Sequence, residues 1–73
     1  MDNLDLHGVG HEAAEEAIRS FLNYIELPCT ITTGNSPKMK KILSKVIREY
    51  GWQMREPIYY NKGSFVIESK QEE

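Results

Sequence analysis

The sequence has few of the features that mark secreted, membrane-spanning or strongly basic proteins. It contains a single cysteine, Cys29, so no disulfide can form within the chain, and a reducing compartment is expected. No apolar run approaches the roughly 20 residues that cross a bilayer, and the N-terminus lacks the basic and apolar segments of a signal peptide. The formal net charge is -2, which argues against nucleic-acid binding through bulk positive charge. We therefore expect a cytoplasmic protein that makes no contact with membranes.

The length sets the scale of the fold. A chain of 73 residues has room for one hydrophobic core, and a domain of about this size buries only about 60% of the surface that its unfolded chain exposes. Apolar residues make up 40% of the chain and charged residues 27%, which is ordinary for a globular domain. We expect one domain over residues 1–73, with its core between about residues 3 and 69, a polar tail at 70–73, and a monomeric state.

Hydrophobic periodicity predicts the order of the secondary structure elements. Apolar side chains recur at the helical period over residues 11–24 and 37–50. Ser36 and Pro37 form a typical helix start, and Gly51 is placed to end the second helix. Strands are expected at residues 4–7, 29–33, 52–57 and 64–69, with a hairpin connection at 59–63. Right-handed crossovers then give an α+β fold, a two-layer α/β sandwich ordered β-α-β-α-β-β, with a four-stranded mixed sheet and both helices on one face.

The first strand places two reactive side chains together. Successive side chains on a strand point to opposite faces, so Leu4 and Leu6 share one face while Asp5 and His7 share the other. The strand then ends at Gly8. His7 suits general acid or base catalysis near neutral pH, and Asp5 suits orienting an attacking water or holding a divalent cation such as Mg²⁺ or Mn²⁺. An edge strand with a solvated polar face is the alternative interpretation of these residues.

The second strand ends in a turn that can bind an anion. Like the Gly8 turn, it feeds a helix N-terminus, where unpaired N–H groups attract anions. Because ligands of open α/β sheets bind at the carboxyl ends of strands, we expect the two turns and the Asp-His pair to form a phosphodiester site. A plain helix cap is the alternative. The donors expected at the second turn are backbone, amide and hydroxyl groups of Thr33, Gly34, Asn35 and Ser36, with the ammonium group of Lys38 close by.

The second helix concentrates the positive charge of the chain. Four cations recur there at spacings of three and four residues, namely Lys38, Lys41, Lys45 and Arg48. At about 100° per residue they fall within about 80° of the helix circumference, opposite the apolar face, whereas Lys40 lies off this line. We call these four side chains the basic row. They predict contact with a phosphate backbone, and the alternative is an ordinary solvated helix face.

These motifs resemble those of the Smr domain, the small MutS-related domain. The resemblance rests on Leu4-Asp5-Leu6-His7-Gly8, on Glu12-Ala13 at the first helix and on the Thr33-Gly34 turn, and it spans residues 4 to about 67. It implies a fold similar to the C-terminal domain of bacterial translation initiation factor three, together with nucleic-acid binding and nicking of DNA or endonucleolytic cleavage of RNA. The Asp and His of the family's LDLH element correspond to Asp5 and His7. The family's turn reads Thr-Gly-x-Gly or His-Gly-x-Gly, and here Ser36 takes the place of the second glycine.

Three functions are compatible with these residues. The first is a small endonuclease or nickase that cleaves structured DNA or RNA, with Asp5 and His7 as the chemical pair. The second is a nucleic-acid-binding module without chemistry, in which the second turn and the basic row hold a phosphate backbone. The third is a protein-interaction domain, since the first helix is acidic on its outer surface and the second is basic. These residues do not discriminate DNA from RNA.

Overall fold

The structure, a computed structural model, describes residues 2–56 and 63–69 of the chain. It contains the predicted elements in the predicted order, which confirms the α+β fold class. The elements are β1 (Asn3–Asp5), α1 (His11–Leu22), β2 (Cys29–Thr32), α2 (Pro37–Glu49), β3 (Trp52–Arg55) and β4 (Ser64–Ser69). Both helices end slightly before their predicted limits, because Asn23 and Tyr50 serve as cap residues rather than as members of the last turn.

A four-stranded mixed sheet in the order β1-β2-β4-β3 forms one layer of the molecule. β1 and β2 run parallel and are joined through α1, whereas β4 pairs antiparallel with both β2 and β3. Asp5 lies opposite Thr32, and the N–H of Leu6 donates to the carbonyl of Thr32 at 2.8 Å, which extends the pairing past the end of β1. The carboxyl ends of β1 and β2 therefore lie side by side.

The two faces of the sheet differ in polarity because side chains alternate along each strand. One face carries buried apolar side chains that join the helices in a single core, among them Cys29, Ile31, Phe65 and Ile67. The opposite face is polar. There the amide oxygen of Asn3 accepts hydrogen bonds from the hydroxyls of Thr30 at 2.7 Å and Thr32 at 3.3 Å. Both helices thus cover one face, as predicted, and Asp5 shares the other face with Thr32.

Each helix turns an apolar stripe towards the sheet. The buried members of these stripes are Ala14, Ile18 and Leu22 in α1, and Met39, Leu43, Val46 and Ile47 in α2. The hydroxyl of Ser36 accepts a hydrogen bond from the N–H of Met39 at 3.1 Å, so the predicted start of α2 is confirmed. On the outer surface, the Arg19 guanidinium of α1 contacts the carboxylates of both Glu15 and Glu49, which ties α1 to α2.

Residues 57–62 and 70–73 lie outside the described residues, and with them the predicted end of the third strand at 57, residues 59–62 of the predicted hairpin connection, and the polar tail. Of the hairpin connection, the structure describes Gly63 alone. Within residues 2–56 and 63–69, neither helix combines the length and the apolar character needed to cross a bilayer.

Candidate phosphate-binding site

The candidate site lies where β1 and β2 end and α1 and α2 begin. The prediction of a strand over 4–7 is wrong at its end, because β1 stops at Asp5 and His7 lies with Gly8 in the β1–α1 turn, where the N–H of Val9 donates to the carbonyl of Leu6 at 3.0 Å. Gly8 has a φ of 86°, a left-handed conformation that glycine adopts without the steric cost other residues meet. Because β1 and β2 are parallel neighbours, the β1–α1 turn and the β2–α2 turn lie at the same edge of the sheet.

Asp5 and His7 are both exposed at this edge. The Oδ1 atom of Asp5 accepts a hydrogen bond from the backbone N–H of His7 at 2.9 Å, which closes a short loop around the end of β1. Within the described part of the chain, Oδ2 of Asp5 and the imidazole of His7 have no hydrogen-bond partner. One carboxylate oxygen therefore fixes the turn, and the second oxygen and the ring face solvent.

Gly63, at the start of β4, organises the second turn. Its carbonyl accepts hydrogen bonds from the N–H groups of Thr33 at 2.6 Å and Gly34 at 3.2 Å, and the Thr33 hydroxyl also contacts it at 3.2 Å. A Cβ added to Gly63 would lie only 2.8 Å from the Cα of Gly34. Two of the predicted phosphate donors, the N–H groups of Thr33 and Gly34, are consequently engaged by Gly63 rather than free to bind an anion.

The donors that remain belong to the first turn of α2. The Ser36 hydroxyl caps Met39, whereas the backbone N–H groups of Asn35, Ser36 and Lys38 have no partner among residues 2–56 and 63–69. Since Pro37 has no N–H, these three are the backbone groups that the second turn can offer an anion, beside the side-chain amide of Asn35 and the ammonium group of Lys38. The predicted anion-binding site is therefore limited to the groups at the N-terminus of α2.

His11 also lies in this region, and no motif in the sequence singles it out. It begins α1, and its Nε2 atom lies 3.4 Å from the hydroxyl of Ser36, so the N-termini of the two helices meet. The sequence offers little signal for this contact, because 25 residues separate its two partners. An imidazole thus stands beside the predicted anion-binding turn.

The basic row follows the outer surface of α2 away from this turn. All four of its side chains are exposed, and Lys45 alone approaches a carboxylate, with its Nζ 3.8 Å from Oε1 of Glu15. In the described part of the chain, Lys38, Lys41 and Arg48 have no carboxylate within 4.0 Å of their charged nitrogens. Three members of the row line an open surface depression of about 470 Å³, whose lining residues are Lys41, Ser44, Lys45, Arg48 and Glu49.

The two carboxylates beside the basic row, those of Glu15 and Glu49, share a contact with the single guanidinium of Arg19. A hydrogen bond from Arg19, and to a smaller extent the charge of Lys45, hold the pKa of Glu15 below its usual value. The Glu49 carboxylate, which borders the depression, also accepts a hydrogen bond from Arg19. Arg19 offsets one of these two negative charges, and the described part of the chain places no carboxylate within 4.0 Å of the charged nitrogens of Lys38, Lys41 and Arg48.

The described residues contain neither an exposed thiol nor a cluster of metal-binding side chains. Cys29 is fully buried, and this burial raises the pKa of its thiol, so it is a core residue rather than a nucleophile. Among residues 2–56 and 63–69, no three His, Cys, Asp or Glu side chains come together as ligands for a metal ion. The titratable side chains exposed at the end of β1 are those of Asp5 and His7.

The fold is a small two-layer α/β domain in which both helices begin beside the carboxyl ends of β1 and β2. Comparisons of the chain with family models, with curated proteins and with solved structures gave no match. The interpretation of the site therefore rests on its own geometry and on the motifs in the sequence.

Proposed function

We propose that this domain binds the phosphate backbone of a nucleic acid and cleaves phosphodiester bonds at the Asp5-His7 edge. The observation that carries the proposal is the basic row, in which four exposed cations line one side of α2 and lead to its N-terminus. Lys38 and Arg48 are ten residues apart, which corresponds to about 15 Å along the helix axis. This length matches about four base steps of a duplex at 3.4 Å per step.

Local segregation of charge supports nucleic-acid binding despite the net charge of -2. The acidic residues of α1 lie on the neighbouring helix, and Glu15 and Glu49 are bound to Arg19. A phosphate strand on α2 therefore meets cations with few competing carboxylates. Unpaired N–H groups and the positive end of the α2 dipole add to this attraction where the basic row meets the second turn.

Asp5 and His7 carry the proposed chemistry. His7 accepts a proton from an attacking water, the water oxygen forms a bond to phosphorus, and the bond from phosphorus to the leaving oxygen breaks as that oxygen takes up a proton from solvent. Oδ2 of Asp5, the oxygen that does not fix the turn, orients this water. A divalent cation fits the same oxygen, because Mg²⁺ is commonly held by one or two carboxylates together with substrate phosphates. The resemblance of this strand to the LDLH element of the Smr domain supports the assignment.

Binding is tested by substitutions on one helix. Lys41→Gln removes a member of the basic row, and we expect affinity for a DNA or RNA duplex to fall about tenfold at low salt. Lys40→Gln removes the same charge from a position off the row and should leave affinity nearly unchanged. Equal effects of the two substitutions would show that α2 acts only through its net charge. If the wild type does not bind nucleic acid at all, the proposal is overturned.

Cleavage is tested separately from binding. The purified domain is incubated with supercoiled plasmid and with structured RNA, with and without Mg²⁺ or Mn²⁺, beside the Asp5→Asn and His7→Ala variants. We expect cleavage by the wild type and its loss in both variants, with affinity retained. If the wild type and His7→Ala show the same negligible cleavage while both bind, the domain is a binding module without chemistry.

A further inference from the structure

The surface depression on α2 has one hydroxyl group among its charged side chains. Its volume is about 470 Å³, and four of the described residues that line it follow one another at positions i, i+3, i+4 and i+7 of the helix, namely Lys41, Ser44, Lys45 and Arg48. Side chains at these spacings are neighbours on a helix surface, so the four form a compact patch with the Ser44 hydroxyl at one corner. We call these four side chains the α2 cluster.

The charge of the α2 cluster favours an anionic ligand. Among residues 2–56 and 63–69, Lys41 and Arg48 have no carboxylate within 4.0 Å of their charged nitrogens, and Lys45 approaches one carboxylate of α1 at 3.8 Å. Glu49 also lines the depression, and its carboxylate contacts the guanidinium of Arg19. Three cations and one carboxylate thus line the depression.

The Ser44 hydroxyl is available to donate a hydrogen bond to such a ligand. A serine within a helix commonly bonds back to the carbonyl four residues earlier. In the part of the chain that the structure describes, Ser44 makes neither this bond nor another side-chain hydrogen bond, and its side chain is partly exposed. At about 1.5 Å per residue, Ser44 lies about 4.5 Å beyond Lys41 and about 6 Å before Arg48 along the helix axis. An anion that contacts both of these cations is therefore flanked by Ser44 on one side and Lys45 on the other.

A hydroxyl group restricts the position of a ligand more than a cation does. Ammonium and guanidinium groups attract a phosphate over a Debye length of about 10 Å at 0.1 M salt. A hydroxyl donates only to an oxygen at about 2.5–3.0 Å. Serine is among the residues whose hydroxyls contact phosphate oxygens and fix the register of a protein on a nucleic-acid backbone. The α2 cluster combines both kinds of group in one depression.

We propose that the α2 cluster binds one phosphodiester group in direct contact, with the Ser44 hydroxyl donating to an oxygen of the phosphate. This inference rests on the proposed nucleic-acid binding and adds the point on α2 at which the backbone is held, together with a binding residue outside the basic row. Because the hydroxyl is uncharged, it raises the affinity without changing the number of counterions that binding releases. Ser44 therefore contributes to affinity and not to its salt dependence.

The test measures the affinity of serine variants for DNA and RNA duplexes of 12 base pairs over a range of salt concentrations. Ser44→Ala should lower the affinity about tenfold, as expected for the loss of a hydrogen bond to a charged group, and should leave the salt dependence unchanged. Ser44→Thr keeps a hydroxyl and should retain most of the affinity.

Ser20→Ala is the matched control. Ser20 is exposed on α1, and the residues three and four positions away from it carry no positive charge, so this variant should bind like the wild type. Alanine is a better helix former than serine, so neither alanine variant should unfold at lower urea concentration than the wild type. Urea unfolding of each variant checks that a loss of affinity is not a loss of folding.

The outcomes separate this inference from the function on which it rests. If Ser44→Ala binds like the wild type while Lys41→Gln binds more weakly, the direct contact is overturned and nucleic-acid binding stands. Equal losses in Ser44→Ala and Ser44→Thr, or a changed salt dependence in Ser44→Ala, also overturn the contact, because the hydroxyl is then not the group that acts. Absence of wild-type binding to both duplexes overturns both proposals.

Discussion

Gly63→Ala is the substitution for which the structure makes the sharpest prediction. The added Cβ would lie 2.8 Å from the Cα of Gly34 and 3.0 Å from its backbone N and C atoms, and backbone cannot rotate aside. The ends of β2 and β4 must then separate, which weakens the hydrogen bonds from Thr33 and Gly34 to the Gly63 carbonyl. Overpacking costs about 1–3 kcal/mol and a weakened hydrogen bond about 1 kcal/mol, so we expect a loss of about 2–4 kcal/mol in the free energy of unfolding.

Gly10→Ala provides the matched control. The Cβ added there would approach the Glu12 carboxylate at 2.6 Å, but the end of a flexible side chain can move at little cost. Gly10 has a φ of -68°, which alanine adopts without strain. Alanine is a less favourable N-cap residue than glycine, but it also lowers the conformational entropy of the unfolded chain, which stabilises the fold. These two effects oppose each other, so the free energy of unfolding of this variant should stay within about 1 kcal/mol of the wild-type value.

Urea unfolding monitored by the fluorescence of Trp52, the single tryptophan, measures both variants. A domain of this length has a free energy of unfolding of about 4–11 kcal/mol, and small domains have slopes of about 1 kcal/mol/M. The Gly63→Ala midpoint should therefore fall by about 2 M or more. Equal midpoints for the two alanine variants would refute the close approach of Gly63 to Gly34.

Three further predictions concern the scaffold. Ser36→Ala should lower the free energy of unfolding by about 1 kcal/mol and Ser36→Gly by only a few tenths, because glycine tolerates the cap position; urea unfolding distinguishes them. Leu43→Ala should cost about 2–5 kcal/mol in the same assay, since Leu43 is fully buried. Because Arg19 lowers the pKa of Glu15, this pair stabilises the fold above the usual carboxylate pKa of 4.5, and the stabilisation is lost as pH falls through the lower folded value. In the Glu15→Gln variant, the free energy of unfolding should therefore decrease less than in the wild type as the pH falls below about 4.5. The same pH dependence in both proteins would contradict the pairing of Glu15 with Arg19.

The local features of the fold were predictable from the sequence because they depend on neighbouring residues. Alternation of side chains along the strands placed Asp5 apart from Leu4 and Leu6, of which Leu6 is fully buried and Leu4 partly so, and the Ser36-Pro37 pair identified the start of α2. The helical period likewise placed the basic row on the solvent side of α2. Each of these inferences requires knowledge of only a few consecutive residues.

Contacts between distant residues were not predictable in the same way. Gly63 engages Thr33 and Gly34 across 30 and 29 positions of the chain, and these pairings depend on the register of β2 with β4. His11 meets Ser36 only because the parallel β1–β2 pair aligns the starts of the two helices. For this reason the sequence overestimated the donors available at the second turn and gave no indication of the contact between His11 and Ser36.

The salt dependence of nucleic-acid affinity tests the proposed role of the basic row most directly. If each of its four cations neutralises one phosphate of a duplex, the logarithm of the association constant should fall with the logarithm of salt concentration with a slope of about -3 to -4. The double variant Lys41→Gln/Arg48→Gln should reduce this slope to about -2, and Lys40→Gln should leave it unchanged. A slope near zero for the wild type, or the same slope in the wild type and the double variant, would contradict the proposal.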